Sequence, residues 1–230
     1  MIGIIGDIWN MIIVQPMINS LVLLYSYLFL NFGLAIIAFT ILVRALLIPL
    51  TVKQSRSMKM MTAVQPKLKE LQERHKNDRQ RLSSETLKVY RENGVNPIGC
   101  LGPLVIQMPV WIGLFWAINK TVAAYPENLV DLSKFLYPWL PRVNEVIPFN
   151  SSFLWIQDLG RPDPLAVPLL PILVGVSMFL MQKMTAMPSV DPRQASTNRM
   201  MLWMMPVLFG FFTLQFSSGL AIYWVVSNIV

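Results

Sequence analysis

Residues Phe32–Val52 read FGLAIIAFTILVRALLIPLTV. At 1.5 Å per residue, about 20 helical residues cover the roughly 30 Å of hydrocarbon in a bilayer. The run is apolar throughout except for Arg44, its thirteenth residue. A charge near the centre of a spanning helix costs on the order of 2.5–3.5 kcal/mol on insertion scales. A chain that keeps one normally supplies it with water, a partner or a task.

Outward from this run the chain alternates apolar and charged stretches. Of 230 residues 54% are hydrophobic and only 13% charged, against about 25% charged in soluble domains. The composition is that of an all-α polytopic membrane protein. Further spans are expected at Pro97–Ile118, Leu165–Met181, Met200–Phe216 and Leu220–Val230. The last two share a charge-free stretch, with Ser217-Ser218-Gly219 as the turn between them. The final span is short, as in a chain that continues. Residues 1–30 are apolar but interrupted by Asp7, Asn10, Gln15, Pro16 and Asn19. They read as an amphipathic helix lying in the interface, anchored by Trp9 and bent at Pro16. No basic n-region or small-residue cleavage site marks a cleavable leader. The core then comprises residues 31–230.

Within that core, residues 53–96 are polar and basic. Met58, Met61, Val64, Leu68 and Leu71 recur at helical steps, Asn77-Asp78 makes a turn, and Leu82, Leu87 and Tyr90 mark a second helix ended by Gly94. Pro66 should kink the first of these two helices, and the pair predicts a helical hairpin in water. Residues 120–164 form a polar loop whose aromatics read as interfacial. Lys53–Pro97 carries 11 basic and 5 acidic residues, Lys120–Pro164 carries 4 and 5, and Gln182–Arg199 carries 3 and 1. Positive loops stay inside. The hairpin and the Gln182–Arg199 loop are therefore expected in the cytoplasm and residues 120–164 outside. Five spans then put the N-terminus out and the C-terminus in.

None of the five spans contains an acid, so an intramembrane salt bridge for Arg44 is excluded. A water-filled cavity open to the cytoplasm and snorkelling to the inner headgroups remain. Arg44 lies eight residues, roughly 12 Å, from the end of its span, which is far for one side chain and favours the cavity. Thr40 is one turn away on the same face. Gln107, Gln215, Ser227 and Asn228 are further candidates to line it, and an interhelical hydrogen bond accounts for each equally well. Trp224 is either a cavity wall or core. Fifteen methionines, many near the inner ends of the third and fourth spans, suit either gap-filling or an adaptable apolar surface. The single Cys100 excludes an internal disulfide, and His75 has no partners spaced for metal or catalysis. No nucleophile–base pair, phosphate loop or metal cluster is present, so no enzyme activity or cofactor is expected. The mixed charge of residues 53–96 gives no specific nucleic-acid signature.

Several long motifs carry a resemblance. TILVRALLIPLT (Thr40–Thr51), VQPKLKELQERHKND (Val64–Asp78), ENGVNPIGCLGPLVIQMPVW (Glu92–Trp111), FLWIQDL (Phe153–Leu159), DPRQ with MMPVLFGFF (Asp191–Phe212) and SGLAIYWVVSNIV (Ser218–Val230) occur in one order. Together the chain resembles the YidC/Oxa/Alb membrane insertases, in their bacterial five-span core. The resemblance implies a hydrophilic inner-leaflet groove with Arg44 in it, lined by Thr40, Gln107 and Trp224. It also implies that Arg44 attracts acidic residues in the short extracellular tail of a nascent membrane protein. Implied partners are those nascent chains, membrane lipid, the ribosome and the Sec translocon, in a bacterial plasma membrane. Two other readings compete: an anion-binding channel or transporter, which needs access from both faces, and a translocase scaffold, which leaves Arg44 idle.

Overall fold

The structure, a computed structural model, describes residues 2–75, 78–94, 102–122, 132–138, 140, 149–162, 168–185 and 192–230. Among these it is helical, with one isolated antiparallel bridge between Phe153 and Ile156. The helices are α1 (Ile2–Trp9), a π-helical turn (Asn10–Val14), α2 (Gln15–Tyr27), α3 (Phe32–Arg74), α4 (Arg79–Glu92), α5 (Gly102–Thr121), α6 (Leu169–Thr185), α7 (Pro192–Phe212) and α8 (Ser218–Ile229).

α3 starts at Phe32 because the side chain of Asn31 caps it, accepting from Leu34 N at 3.1 Å. It then runs for 43 residues, about 65 Å, through Pro49 and Pro66. The apolar run and the first helix of the hairpin are one continuous helix. The polar segment from Lys53 to Arg74 contains no glycine and is rich in Lys, Gln, Glu, Arg and Met, which are good helix formers. α4, capped by Asp78, packs back along α3, and Lys67 Nζ donates to Asn93 Oδ1 at 3.2 Å. Gly94 ends it with φ 64°. Lys76, Asn77, Pro97–Leu101 and Leu165–Val167 lie outside the described residues, as do 123–131, 139, 141–148, 163–164 and the stretch 186–191. α7 begins at Pro192, so the polar stretch read as a loop up to Arg199 is partly helix.

The N-terminal segment packs one face on the bundle. Val14, Ile18, Leu21, Val22 and Tyr25 are buried in the core against α3 and α5. Among the described residues, two helical stretches, Gly6–Tyr27 and Phe32–Arg74, are long and apolar enough to cross a membrane. Pro16 does not end the helix. The π turn shifts the register so that Gln15 N donates to Asn10 O and proline sits at the start of α2, where no N–H is required. The polar residues are satisfied internally: Ser20 Oγ donates to Pro16 O and Asn19 Nδ2 to Gln15 O and Phe135 O, all at 2.7 Å. The N-terminal helices thus pack against α3 and α5.

One end of the bundle is closed by the described parts of residues 120–164. Phe153 and Ile156 exchange backbone hydrogen bonds at 2.9 and 2.8 Å across a tight turn. The Phe153 ring lies on Gly33, where a Cβ would come within 2.2 Å of it. Leu159 and Ile156 are buried in the core, while Leu154 and Trp155 are exposed. Ser218 N and Gly219 N, at the start of α8, donate to Arg161 O and Leu159 O at 2.9 Å. Phe149 packs edge-on against Tyr25 at 5.1 Å, and Asn150 N donates to the Tyr25 hydroxyl. Tyr137 N donates to Asn19 Oδ1 at 2.7 Å, and Lys120 Nζ stands 3.8 Å over the Phe135 ring.

Asn19 therefore ties α2 to this cap through both ends of its amide. Replacing it with Ala orphans Phe135 C=O and Tyr137 N–H, at about 1–3 kcal/mol for a buried unpaired group. The expected outcome is a lower melting temperature in detergent and faster proteolysis within residues 120–164, with the remaining helices intact by circular dichroism.

Candidate functional site: a cationic cavity beside Arg44

α3 carries Arg44 opposite the last turns of α8. Its Nε donates to Ser227 Oγ at 3.1 Å, and its Nη2 donates to both Ser227 O and Ser227 Oγ. The guanidinium thus has a partner, and the partner is neutral. Arg44 Nη1 has no hydrogen bond among the described residues. The side chain is half-buried.

Next to it lies a cavity of about 330 Å³. Its wall on α3 is Arg44, Leu47, Leu50, Thr51, Gln54, Ser55 and Met58, completed by Gln107 of α5 and Met181 and Thr185 of α6. Steps of three and four place most of the α3 set on one stripe of that helix. The stripe runs from Arg44 toward α4 and not the other way. One turn toward the capped end, Thr40 is fully buried and its Oγ1 donates back to Ile36 O at 2.7 Å. Arg44 is therefore the closed end of the cavity. Thr40 shares its side of α3 but is sealed in the core.

The other expected lining residues separate in the same way. Gln107 lines the cavity, and its Nε2 donates to Tyr223 Oη at 2.6 Å. Ser227 is buried on Arg44. Asn228 Nδ2 donates to Ser177 Oγ at 3.2 Å, joining α8 to α6. Gln215 is exposed in the turn between α7 and α8, at the capped end and away from Arg44. Trp224 is core: it stacks on Trp111 at 6.0 Å and 16°, with Phe209 at 5.3 Å and Phe216 at 6.1 Å edge-on. Tyr223, buried and on the Ser227 face of α8, escaped sequence reading. So did Gln54 and Ser55, which continue the cavity past the apolar run.

A family model described as 60Kd inner membrane protein matches residues 23–230. This chain belongs to the 60Kd inner membrane protein family. It is 41% identical over 222 residues to the membrane protein insertase YidC of Actinobacillus succinogenes, covering 96% of this chain and 36% of that protein. Against the insertase YidC of Syntrophus aciditrophicus the identity is 44% over 222 residues, covering 96% and 35%. Against that of Haemophilus influenzae strain KW20 it is 43% over 200 residues, covering 87% and 32%. The chain thus spans about a third of the length of these relatives. Its fold resembles a crystal structure of an active YidC insertase with the first transmembrane domain resolved, at a TM-score of 0.60 and 26% identity, covering 90% of this chain and 43% of that one. Family membership thus accords with an all-helical inner-membrane fold.

In this member of the 60Kd family, Ser227 orients the cation and Tyr223 orients Gln107. Ser227→Ala removes the hydroxyl acceptor but keeps the carbonyl. A hydrogen bond to a charged group contributes about 1.5–3 kcal/mol, and a neutral one about 1 kcal/mol. Ser227→Ala is expected to lower thermal stability in detergent more than Tyr223→Phe does, with both variants still folded.

Proposed function

We propose that this chain is the core of a membrane protein insertase and chaperone, and that Arg44 is its substrate-attracting charge. The single observation that carries this reading is a guanidinium held by neutral groups at the closed end of a cavity that extends along α3 toward α4. A carboxylate partner would neutralise it; a hydroxyl and a carbonyl leave its field intact. Gln54, Ser55, Thr51 and Gln107 supply polar atoms along the cavity wall. Acidic residues in the short extracellular tail of a nascent membrane protein are drawn to Arg44, and the tail's polar groups avoid most of the hydrocarbon barrier. Partition of the following apolar segment into lipid then drives release, with no nucleotide.

The chain is proposed to lie in the bacterial inner membrane as five spans from Phe32 onward with the N-terminal helix packed beside them. The α3–α4 hairpin faces the cytoplasm, where it is a docking surface for the ribosome or nascent chain; the Sec translocon is a further partner. The capped end faces outward. Closure there, through Leu159, Arg161 and the start of α8, supports an insertase over a channel, which needs two open ends. This reading takes over residues 53–96 as the cytoplasmic hairpin and 120–164 as the outer loop.

In proteoliposomes, Arg44→Ala is expected to reduce insertion of a substrate with an acidic tail by about tenfold or more, a loss of roughly 1.4 kcal/mol of attraction. Arg44→Lys is expected to restore most of it, and a substrate with a neutral tail is expected to be little affected. Normal insertion of the acidic-tailed substrate by Arg44→Ala would overturn the electrostatic mechanism.

A further inference from the structure

A second cleft lies between α6 and α7, on the outer surface of the bundle. It has a volume of about 430 Å³, and no charged side chain lines it. Its floor is unusually close backbone. A Cβ on Gly175 would meet Pro206 O at 3.4 Å, and one on Gly210 would meet Pro171 O at 3.0 Å. The exposed side chains of Ile172, Val176, Trp203 and Val207 form its walls.

The contacts fix the antiparallel register. Pro171 faces Gly210, Gly175 faces Pro206, and the Phe179 and Trp203 rings meet at 4.7 Å, tilted by 40°. One further turn, about 6 Å, brings Lys183 opposite Arg199. Both are exposed and neither has an ion pair among the described residues. Two cations thus face each other across the mouth of an apolar furrow. This is the end where Met181 and Thr185 line the Arg44 cavity, the end of the basic loops.

We propose that the α6–α7 cleft holds an anionic glycerophospholipid, with one acyl chain in the furrow and the phosphate between Lys183 and Arg199. The charge pattern selects the occupant: an apolar slot continuous with two cations that have no ion pair among the described residues matches a molecule with a hydrocarbon chain and an anionic head. The assignment requires that the chain spans a membrane, and it does not depend on insertion by Arg44.

The test uses the full chain in detergent micelles and counts retained dioleoyl phosphatidylglycerol and dioleoyl phosphatidylcholine by native mass spectrometry. The natural sequence is expected to prefer the glycerol lipid, and Lys183→Gln with Arg199→Gln to lose about 30-fold of that preference, at about a decade and a half for two surface cations. Lys183→Arg with Arg199→Lys is expected to keep it. Val207→Trp, which fills the furrow, is expected to lower retention of the glycerol lipid while the melting curve shows a folded protein. Equal retention of the two lipids by the natural sequence, or unchanged preference in the double glutamine variant, would overturn the proposal. So would a photo-crosslinker at Val207 that captures an inserting polypeptide rather than lipid.

Discussion

The structure depends on how a guanidinium is accommodated within an apolar helix. Placing Arg44 in the middle of a spanning helix costs about 2.5–3.5 kcal/mol. Hydrogen bonds to a charged donor return about 1.5–3 kcal/mol each. Ser227 offers both a hydroxyl and a carbonyl, so two such bonds offset the cost without any acid. The same contact joins α3 to α8 across 183 residues of chain. α8 in turn must be seated accurately. Its first N–H groups are fixed by Arg161 O and Leu159 O at one end, and Asn228 by Ser177 further along. The cap and the cation are therefore mechanically linked through one short helix.

That linkage gives the bundle its asymmetry. From Phe32 to Thr40 the inward face of α3 is dry: Phe32, Ala35, Ile36 and Thr40 are fully buried. From Arg44 onward the same helix is open, with Leu46 and Ile48 exposed on one side and the cavity on another. Extending α3 well past the apolar run matters here. Because the helix does not break at Lys53, Gln54 and Ser55 continue the stripe that begins at Arg44. The cavity thus grades from a half-buried charge to polar surface along one continuous element.

Much of this was legible. Apolar runs separated by charge marked α3, α5, α6 and the α7–α8 pair, because burial of twenty-odd apolar residues leaves few other arrangements. What escaped has physical causes. The polarity change at Lys53 reports a change of solvent, and helix-forming residues carry the helix through it. In the N-terminal segment Asn19 and Ser20 bond backbone carbonyls, contacts that the sequence does not specify, and so let the helix pack on α3 and α5. The spans hold no acid for Arg44, and for Ser227 cavity lining and an interhelical hydrogen bond are equal readings that sequence alone does not separate. Periodicity correctly put Thr40 on the side of α3 that holds Arg44. It carries no information on where along a helix a cavity ends, and that boundary is set by the residues of the cap. Tyr223 and Trp224 are adjacent on α8 and differ by about 100°; only packing decides that one meets Gln107 and the other Trp111.

A neutral partner also suits transient binding. An acid fixed beside Arg44 would compete with any incoming carboxylate, and breaking a buried ion pair is costly, about 3–5 kcal/mol. Ser227 instead leaves Nη1 without a bond among the described residues while Nε and Nη2 hold the plane of the guanidinium. An arriving anion then gains a hydrogen bond and a Coulomb term, and displaces nothing. Its departure exposes no uncompensated charge beyond what the resting site already tolerates. On the proposed function, weak and reversible capture follows from a hydroxyl rather than a carboxylate at one position of α8.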